Sequence, residues 1–304
     1  MQKENAIMLR SMYSGISGLK NFQTKLDVIG NNIANVNTHG FKKGRVIFKD
    51  LYSQTVSGAS APSASRGGVN PKQVGLGAQL GAIDTIHMGG STQYTGNTLD
   101  LAVQGDGFFI VAESTQATQK PAPGAAPAPI NVENPLYTRA GNFYMDEYGY
   151  IVNVDGNYLV GNRTPVGEGA LDDGEFNQKN FQNIQVPLDA ESMSIGDDGA
   201  VTYVKNGQLE VAGYLVLAKF NNPGGLEKVG SNYFQMSPNS GDAAFASPGN
   251  SGMGVTKSGS LEMSNVDLSE EFTEMIVAQR GFQANTRIIT TSDEILQELV
   301  NLKR

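Results

Sequence analysis

The side chains able to bind a metal ion or to carry acid–base chemistry are few in this sequence and widely separated. Histidine occurs only at His39 and His87, and there is no cysteine. Neither histidine has a cysteine or an acidic neighbour at the spacing of a metal-binding motif, whereas a zinc site needs three or four protein ligands. We therefore predict no metal site and interpret both histidines as ordinary turn or strand residues.

Other stretches resemble ligand-binding motifs but lack essential parts. The glycines from Gly75 to Gly81 miss the dinucleotide fingerprint, because the third comes one residue late and no helix-period segment follows. The acidic pairs Asp146-Glu147 and Asp197-Asp198 lack the alternating acids of a calcium loop. There is also no Gly-x-Ser-x-Gly elbow, His-Glu-x-x-His motif or phosphate-binding loop. The sequence thus predicts no cofactor and a protein that is not an enzyme.

The two ends of the chain carry a helical periodicity that the middle lacks. Near the N-terminus, apolar residues recur at steps of three and four, at Met12, Ile16, Leu19, Phe22, Leu26, Ile29, Ile33 and Val36. A period of about 3.5 residues is typical of the narrow seam of a coiled coil. Taken alone, such a seam is also typical of an amphipathic helix packed on a core.

The C-terminal segment has a second seam with a strict seven-residue repeat. Its members are Leu268, Met275, Phe282, Ile289 and Leu296. The predicted partner positions, apolar only at the two ends, are Phe272, Gln279, Thr286, Asp293 and Val300. The run Ser264 to Asp267 is typical of a helix N-cap. Because so narrow a seam buries little by itself, two matching seams favour helices that pair and then assemble with neighbouring subunits.

The central part is predicted to be mainly antiparallel β structure. From about residue 76 to 264, short β-prone runs alternate with turn signals such as Asp155-Gly156 and Asn206-Gly207. Residues 37–75 are predicted to be an extended linker, and 115–129 a Pro/Ala-rich loop. We therefore predict an α+β fold, in which terminal helices 1–36 and 265–304 pair as a coiled-coil-like assembly domain around a β-rich outer domain, 76–264.

Charge and hydropathy restrict the partners and the location. The net charge of −8 argues against general nucleic-acid binding, and it divides into +5 for residues 1–50 and −13 for the remainder. No apolar run is long enough for membrane insertion, and the first eight residues lack the apolar region of a secretory signal. Met1 and Met8 are both acceptable starts.

Long motifs occupy both ends of the chain. The N-terminal motifs are Ser14 to Leu19, Leu26 to Thr38 and Gly40-Phe41-Lys42, and the C-terminal motifs are Ser264 to Leu268 and Met275 to Asn285. These motifs resemble those of the flagellar rod and hook axial protein family. Between them, Asn97 to Val103, Gly105 to Phe109, Tyr137 to Phe143 and Gly230 to Tyr233 are similar to landmarks of the family's β domain. The resemblance covers nearly the whole chain except the Pro/Ala-rich loop.

The resemblance implies a structural subunit of an open helical homopolymer. The terminal helices would line a tube and the β domain would form its outer layer. The C-terminal motif is similar to that of short, Gram-positive-like hook proteins, so the expected function is the curved universal joint of the flagellar hook, with the distal rod protein as the alternative.

The resemblance also implies partners and a location. The expected partners are the hook cap, the distal rod, the hook–filament junction proteins and the flagellar type III export apparatus. The chain would lie outside the cell, exported without a cleaved signal peptide. The competing hypothesis from the residues is a β-domain binding module whose helices form a closed coiled-coil oligomer.

Overall fold

The computed structural model describes residues 2–63, 66–113, 135–162 and 181–301, and only the backbone at residues 2–10 and 299. The predicted Pro/Ala-rich loop lies outside the described residues. The chain divides into two compact units. The helical unit comprises Met1–Ala34, Gly44–Ile86 and Val266–Arg304, and the β unit comprises Asn35–Lys43 and His87–Asn265.

The helical unit is built on two long helices, α1 (Gln2–Ala34) and α2 (Leu268–Asn301), which pack against each other. Asp267 caps α2, because its carboxylate accepts hydrogen bonds from the backbone N–H groups of Ser269 and Glu270 at 2.8 and 3.4 Å. The helix therefore begins three residues later than the predicted boundary at 265. The negative charges of Glu270 and Glu271 in the first turn interact favourably with the positive N-terminal end of the helix dipole.

Four strands among the described residues complete the helical unit. They are β1 (Gly44–Asp50), β2 (Ser53–Ser57), β3 (Lys72–Gly75) and β4 (Ala78–Thr85). Strand β1 pairs antiparallel with β4, with a register shift between Ile47 and Phe48, and β2 pairs antiparallel with β3. The stretch predicted as a single extended linker, 37–75, therefore contains paired strands.

The β unit holds seventeen strands within the described residues. They are β5 (Thr92–Tyr94), β6 (Leu101–Gln104), β7 (Phe108–Ala112), β8 (Leu136–Thr138), β9 (Phe143–Met145), β10 (Ile151–Asn153), β11 (Tyr158–Asn162), β12 (Gln182–Asn183), β13 (Ser192–Ile195), β14 (Ala200–Lys205), β15 (Gln208–Leu215), β16 (Leu217–Lys219), β17 (Glu227–Gly230), β18 (Tyr233–Gln235), β19 (Ala244–Ala246), β20 (Val255–Ser258) and β21 (Ser260–Glu262).

Thirteen of these strands form one antiparallel sheet around β7. Its main path runs β13-β14-β15-β11-β7-β8-β18-β17, and the pairs β20-β6 and β21-β5 are separate. Strand β7 is buried along its whole length. One apolar cluster includes Leu101, Phe109 and Leu217, and a second includes Phe108, Ile110 and Tyr137. The predicted combination of terminal helices with a central antiparallel β region is confirmed, whereas the pairing of the helices as a coiled coil stays a prediction.

The segment Asn35–Lys43 belongs to the β unit although it follows α1 directly. Gly40 has a φ of +69°, and a Cβ there would lie 2.6 Å from the backbone of Arg139 and Ala140. Only glycine accepts both the left-handed backbone and this close approach. Phe41 and Lys42, which lie in the predicted extended linker, are buried.

Candidate functional site: the helix pair and a buried ion network

The predicted seam of α1 faces the interior of the helical unit over part of its length. Ile29 is buried, whereas Ile16 is exposed. The remaining predicted residues that lie in α1 are partly buried: Met12, Leu19, Phe22, Leu26 and Ile33. Val36 lies beyond the end of α1, in the segment that belongs to the β unit.

The predicted seam of α2 divides into two groups. Met275, Ile289 and Leu296 are partly buried. Four others are exposed in the subunit: Leu268, Phe272, Phe282 and Val300. The remaining predicted partner positions are exposed too, at Gln279, Thr286 and Asp293.

The positions that alternate with the partly buried seam are small or polar. Glu271, Ala278 and Ser292 are buried and Asn285 is partly buried. Each of these four residues lies one position before a predicted partner position. These residues were missed because the sequence pattern was read from apolar residues only. Glycines explain how a polar face packs closely: a Cβ on Gly281 would lie 2.5 Å from the Phe22 ring.

Asn32 fixes the base of the helix pair through three hydrogen bonds. Its side-chain N–H donates to a carboxylate oxygen of Glu271 at 3.1 Å and to the carbonyl of Gly44 at 2.9 Å. Its side-chain oxygen accepts from the Gly44 N–H at 3.0 Å. Because Asn32 is fully buried, these bonds satisfy an amide that would otherwise be costly to bury, and they link α1, α2 and β1.

Both helices carry large apolar side chains that are exposed to solvent in the subunit. In α2, Phe272 is 50% exposed, Ile276 59% and Val277 57%. We call this set the exposed apolar helix surface, and its members are Tyr13, Ile16, Leu268, Phe272, Ile276, Val277, Phe282, Ile288, Ile295 and Val300. Exposed apolar side chains in such number are the kind that protein–protein contacts bury.

The β unit contains a buried ion network around one carboxylate. Lys42 is only 1% exposed, and its ammonium donates to Oε1 of Glu262 at 2.6 Å and to the carbonyl of Met88 at 2.9 Å. The other oxygen of Glu262 accepts from the guanidinium of Arg139 at 3.3 Å. The Gly90 N–H also donates to Oε1 of Glu262. This network joins Asn35–Lys43 to β21 and to the end of β8.

Further contacts hold the two cations of the network in place. Arg139 donates to the carbonyl of Gly105 at 2.9 Å and lies 5.2 Å from the centre of the Phe108 ring. Burial lowers the pKa of Lys42, while the adjacent Glu262 carboxylate acts in the opposite direction. A buried pair of this kind stabilises only when its remaining donors and acceptors are hydrogen-bonded, as most are here.

His87 lies beside this network among aromatic rings. Its ring centre is 5.7 Å from that of Phe108 and 5.2 Å from that of Phe234. Burial, together with the positive charges of Lys42, Arg139 and Lys228, lowers the pKa of His87 to about 4. The other histidine, His39, lies in the segment Asn35–Lys43 of the β unit. Among the residues that the structure describes, no group of three or more His, Cys, Asp or Glu side chains is placed to hold a metal ion.

Neither of the two described helices is both long enough and apolar enough to cross a lipid bilayer.

Three family models match the chain. They are "Flagella basal body rod protein" at residues 12–42, "Flagellar hook protein FlgE/F/G D1 domain" at 130–203 and "Flagellar basal body rod FlgEFG protein C-terminal" at 257–302. The flagellar basal-body rod protein FlgG of Bacillus subtilis is 54% identical over 299 residues, covering 98% of this chain and 100% of that protein. The chain belongs to the flagellar rod and hook protein family.

Other family members include hook proteins as well as rod proteins. The flagellar hook protein FlgE of Borreliella burgdorferi is 32% identical over 459 residues, covering 97% of this chain and 100% of that protein. The rod protein FlgG of Caulobacter vibrioides is 34% identical over 299 residues, covering 97% of this chain and all of that protein. The solved hook protein FlgE2 of Helicobacter pylori is 15% identical, with a TM-score of 0.21, and the match covers 62% of this chain and 46% of that one.

Membership makes this chain a structural component of the flagellar basal body or hook. The resemblance read from the terminal motifs is thereby confirmed. The ion network is distributed over the three matched segments, since Lys42 lies in the first, Arg139 in the second and Glu262 in the third. Lys42 and Arg139 belonged to recognised motifs and Glu262 did not, and the sequence carried no signal that the three residues meet.

Proposed function

We propose that this chain is a subunit of the flagellar rod, which polymerises through its terminal helices into a tube that transmits torque. The observation that carries this proposal is the 54% identity to a basal-body rod protein, because the alignment runs over almost the entire length of both chains. The proposal thus favours the rod, which was the alternative function in the sequence analysis.

Length supports the rod over the hook. The alignments with the rod proteins of Bacillus subtilis and Caulobacter vibrioides each span 299 residues, close to the 304 of this chain. The alignment with the Borreliella burgdorferi hook protein spans 459 residues, so that protein carries a long insertion that this chain lacks. The curved universal joint of the hook remains the second candidate, because hook proteins align with 97% of this chain.

The exposed apolar helix surface supports polymerisation. A free subunit leaves Phe272, Ile276 and Val277 in water, and contact with other copies would bury them at a gain of about 25 cal/mol per Å². A contact between two different surfaces of one subunit, repeated without closing, produces a helical tube. The whole assembly interface predicted from the sequence, from Met12 to Val36 and from Leu268 to Val300, is part of this proposal.

The expected partners depend on the position of this chain in the flagellar axial structure. A rod subunit would pass through the flagellar type III export apparatus and then contact the hook. The hook cap and the hook–filament junction proteins would be neighbours only if the chain were the hook subunit. In either position the assembled chain would lie outside the cytoplasmic membrane.

Immunogold electron microscopy of purified basal bodies, with antibody against the β unit, separates the two candidates. Label along the straight stalk within the envelope is the expected result. Label on the curved segment outside the cell would replace the rod with the hook, and label on neither would contradict both.

A single charge on α2 tests the role of the helices. Phe282→Asp and Leu268→Asp should prevent growth of polymers in a sedimentation assay, because a carboxylate would have to be buried in the subunit contact. Near-ultraviolet circular dichroism should show an unchanged β unit. Gln283→Asp adds the same charge at the next, exposed polar position and should still assemble. Normal polymers from the Phe282 and Leu268 variants would contradict the proposal.

A further inference from the structure

The turn between β14 and β15 consists of two exposed residues, Asn206 and Gly207. Lys205 pairs with Gln208 across this turn, so the strand register continues up to it. The φ angles of Asn206 and Gly207 are +51° and +74°, and a type I′ turn requires positive φ at both residues. In the whole sequence, Asn206 is the only asparagine that is followed by glycine.

An asparagine followed by glycine can react with its own backbone. Hydroxide removes the amide proton of Gly207, the exposed nitrogen bonds to Cγ of Asn206, and a succinimide ring closes. The side-chain nitrogen of Asn206 takes a proton from water and leaves as ammonia. A second water molecule then opens the ring at either carbonyl and gives aspartate or isoaspartate. Glycine favours the attack because it has no side chain to hinder the nitrogen.

Both reacting groups of this turn are free in the folded chain. Among the residues that the structure describes, neither the side-chain amide of Asn206 nor the N–H of Gly207 has a hydrogen-bond partner. A Cβ on Gly207 would meet no atom within 4 Å, so the space around its backbone nitrogen is open. Because an acceptor would hold the N–H group in place and hinder loss of its proton, an unpaired and exposed N–H is well suited to this reaction.

Two other turns of the β unit show the contrast. In Asp155-Gly156, which could form the same ring by loss of water, the glycine N–H donates to the carbonyl of Asn153 at 3.1 Å. In Asn239-Ser240, the serine is fully buried and its N–H donates to the carbonyl of Ser237 at 3.1 Å. The nitrogen that would attack is hydrogen-bonded in both turns, so they serve as internal controls.

We propose that Asn206-Gly207 is a site of spontaneous deamidation, at which the folded chain converts Asn206 into aspartate or isoaspartate. The chemistry needs water and hydroxide and no enzyme. The site lies wholly within one hairpin of the β unit, so the proposal does not depend on polymerisation or on the place of the chain in the flagellum.

The conversion would change the charge and the backbone at the tip of this hairpin. Lys205 donates to the carboxylate of Asp189 at 2.7 Å, and a new carboxylate at residue 206 would compete for the same ammonium group. Isoaspartate also adds a carbon atom to the main chain. A two-residue turn fixes the register of its strands, so the longer backbone should disturb the pairing of Lys205 with Gln208.

The first test keeps the full-length folded subunit in mildly alkaline buffer and follows it by peptide mapping with mass spectrometry. The peptide that contains residue 206 should lose ammonia and gain an oxygen atom from ¹⁸O-labelled water, at a rate that rises in proportion to the hydroxide concentration. Asn239 should keep its amide. Conversion of Asn206 only after the chain is unfolded in urea, or equal conversion of Asn239, would overturn the proposal.

Two variants with an intact turn identify the reacting groups. Asn206→Gly accepts positive φ without steric cost but has no side-chain amide, so the mass change of this peptide should be lost. Gly207→Asn is also tolerated at positive φ and has open space, but its side chain hinders the attacking nitrogen. Deamidation of Asn206 should therefore be slower in this variant. Conversion at the native rate in Gly207→Asn would contradict attack by the backbone nitrogen.

Hydrogen–deuterium exchange tests the consequence for the hairpin. A subunit that has been converted to isoaspartate should exchange the amides of Lys205 and Gln208 faster than the unmodified subunit. Asn206→Asp carries the new charge without the added carbon atom and should exchange like the unmodified subunit. Equal exchange in all three would show that the turn tolerates isoaspartate and would overturn the proposed disturbance of the register.

Discussion

The two units of this protein differ in how completely they bury their apolar residues. In the β unit, Leu101, Phe109 and Leu217 are fully buried, and even the charged groups of the interior have partners. In the helical unit, two helices of 33 and 34 residues leave Phe272, Ile276 and Val277 at least half exposed. The β unit has a core of its own, whereas the helices have one face covered and another available to other molecules.

The difference indicates a division of labour within one subunit. A closed core can hold the β unit together in the free subunit, whereas long helices gain most of their stability from packing. Under the proposed function, subunits would form a tube by covering helix surfaces, without rearranging the β unit. The following predictions test this contrast, from the largest expected effect to the smallest.

Glu262→Gln should have the largest effect, because it leaves Lys42 and Arg139 buried without their carboxylate. We expect the β unit to lose about 3–5 kcal/mol of stability. Calorimetry of the thermal transition is the measurement, and Glu227→Gln on exposed β17 is the control, expected to change stability by no more than about 0.5 kcal/mol. Equal stabilities of the two variants would mean that the ion network does not stabilise the β unit.

A matched pair of truncations compares the two units directly. Leu217→Ala in the β unit should cost about 2–5 kcal/mol, because it opens a cavity in a closed core. Ile276→Ala on α2 should change the free subunit by less than about 0.5 kcal/mol. It should instead raise the concentration needed for polymerisation, as measured by sedimentation. Similar losses of stability in both variants would mean that the helical unit is as closed as the β unit.

Acid should weaken the β unit through His87. Its pKa is about 4 in the folded chain against 6.5 in the unfolded chain, so the unfolded state binds the extra proton between these values. Stability should therefore fall by about 2–3 kcal/mol as the pH decreases from 6.5 to 4, and the contribution of His87 should level off about one pH unit lower. Denaturation at several pH values measures this slope. His87→Phe should flatten it, and an unchanged slope in that variant would contradict the assignment.

Two glycine substitutions should have small effects of opposite sign. Gly30→Ala in α1 meets no atom within 4 Å, so it should stabilise the helices by up to about 1 kcal/mol through helix propensity. Gly281→Ala has the same propensity gain, but its Cβ would lie 2.5 Å from the Phe22 ring. We expect net destabilisation of about 1 kcal/mol in a circular-dichroism melt. Stabilisation by both variants would mean that the helices do not pack closely there.

The sequence predicted the element types well because they depend on local patterns. Seven-residue spacing from Leu268 to Leu296 indicated α2, and turn pairs such as Asn206-Gly207 marked the β hairpins. The β region between the two helices was likewise evident from alternating short strands and turns. These signals are contained within a few neighbouring residues.

Contacts between distant residues were not predictable in the same way. Lys42 and Glu262 are 220 positions apart, and nothing in the sequence around either residue indicates that they meet. The buried polar face of α2, with Glu271 and Asn285, was missed because small and polar residues do not form an apolar seam. The placement of Asn35–Lys43 in the β unit depends on Gly40, whose close approach to Arg139 is visible only in three dimensions.

Hydrogen–deuterium exchange on the free subunit and on its polymer tests the central contrast most directly. The account predicts that β7 and β11 amides exchange slowly in both states, because their core is closed. Amides of α1 and α2 should exchange fast in the free subunit and become slow on assembly. Helix amides that are as slow as those of β7 before assembly would contradict the account.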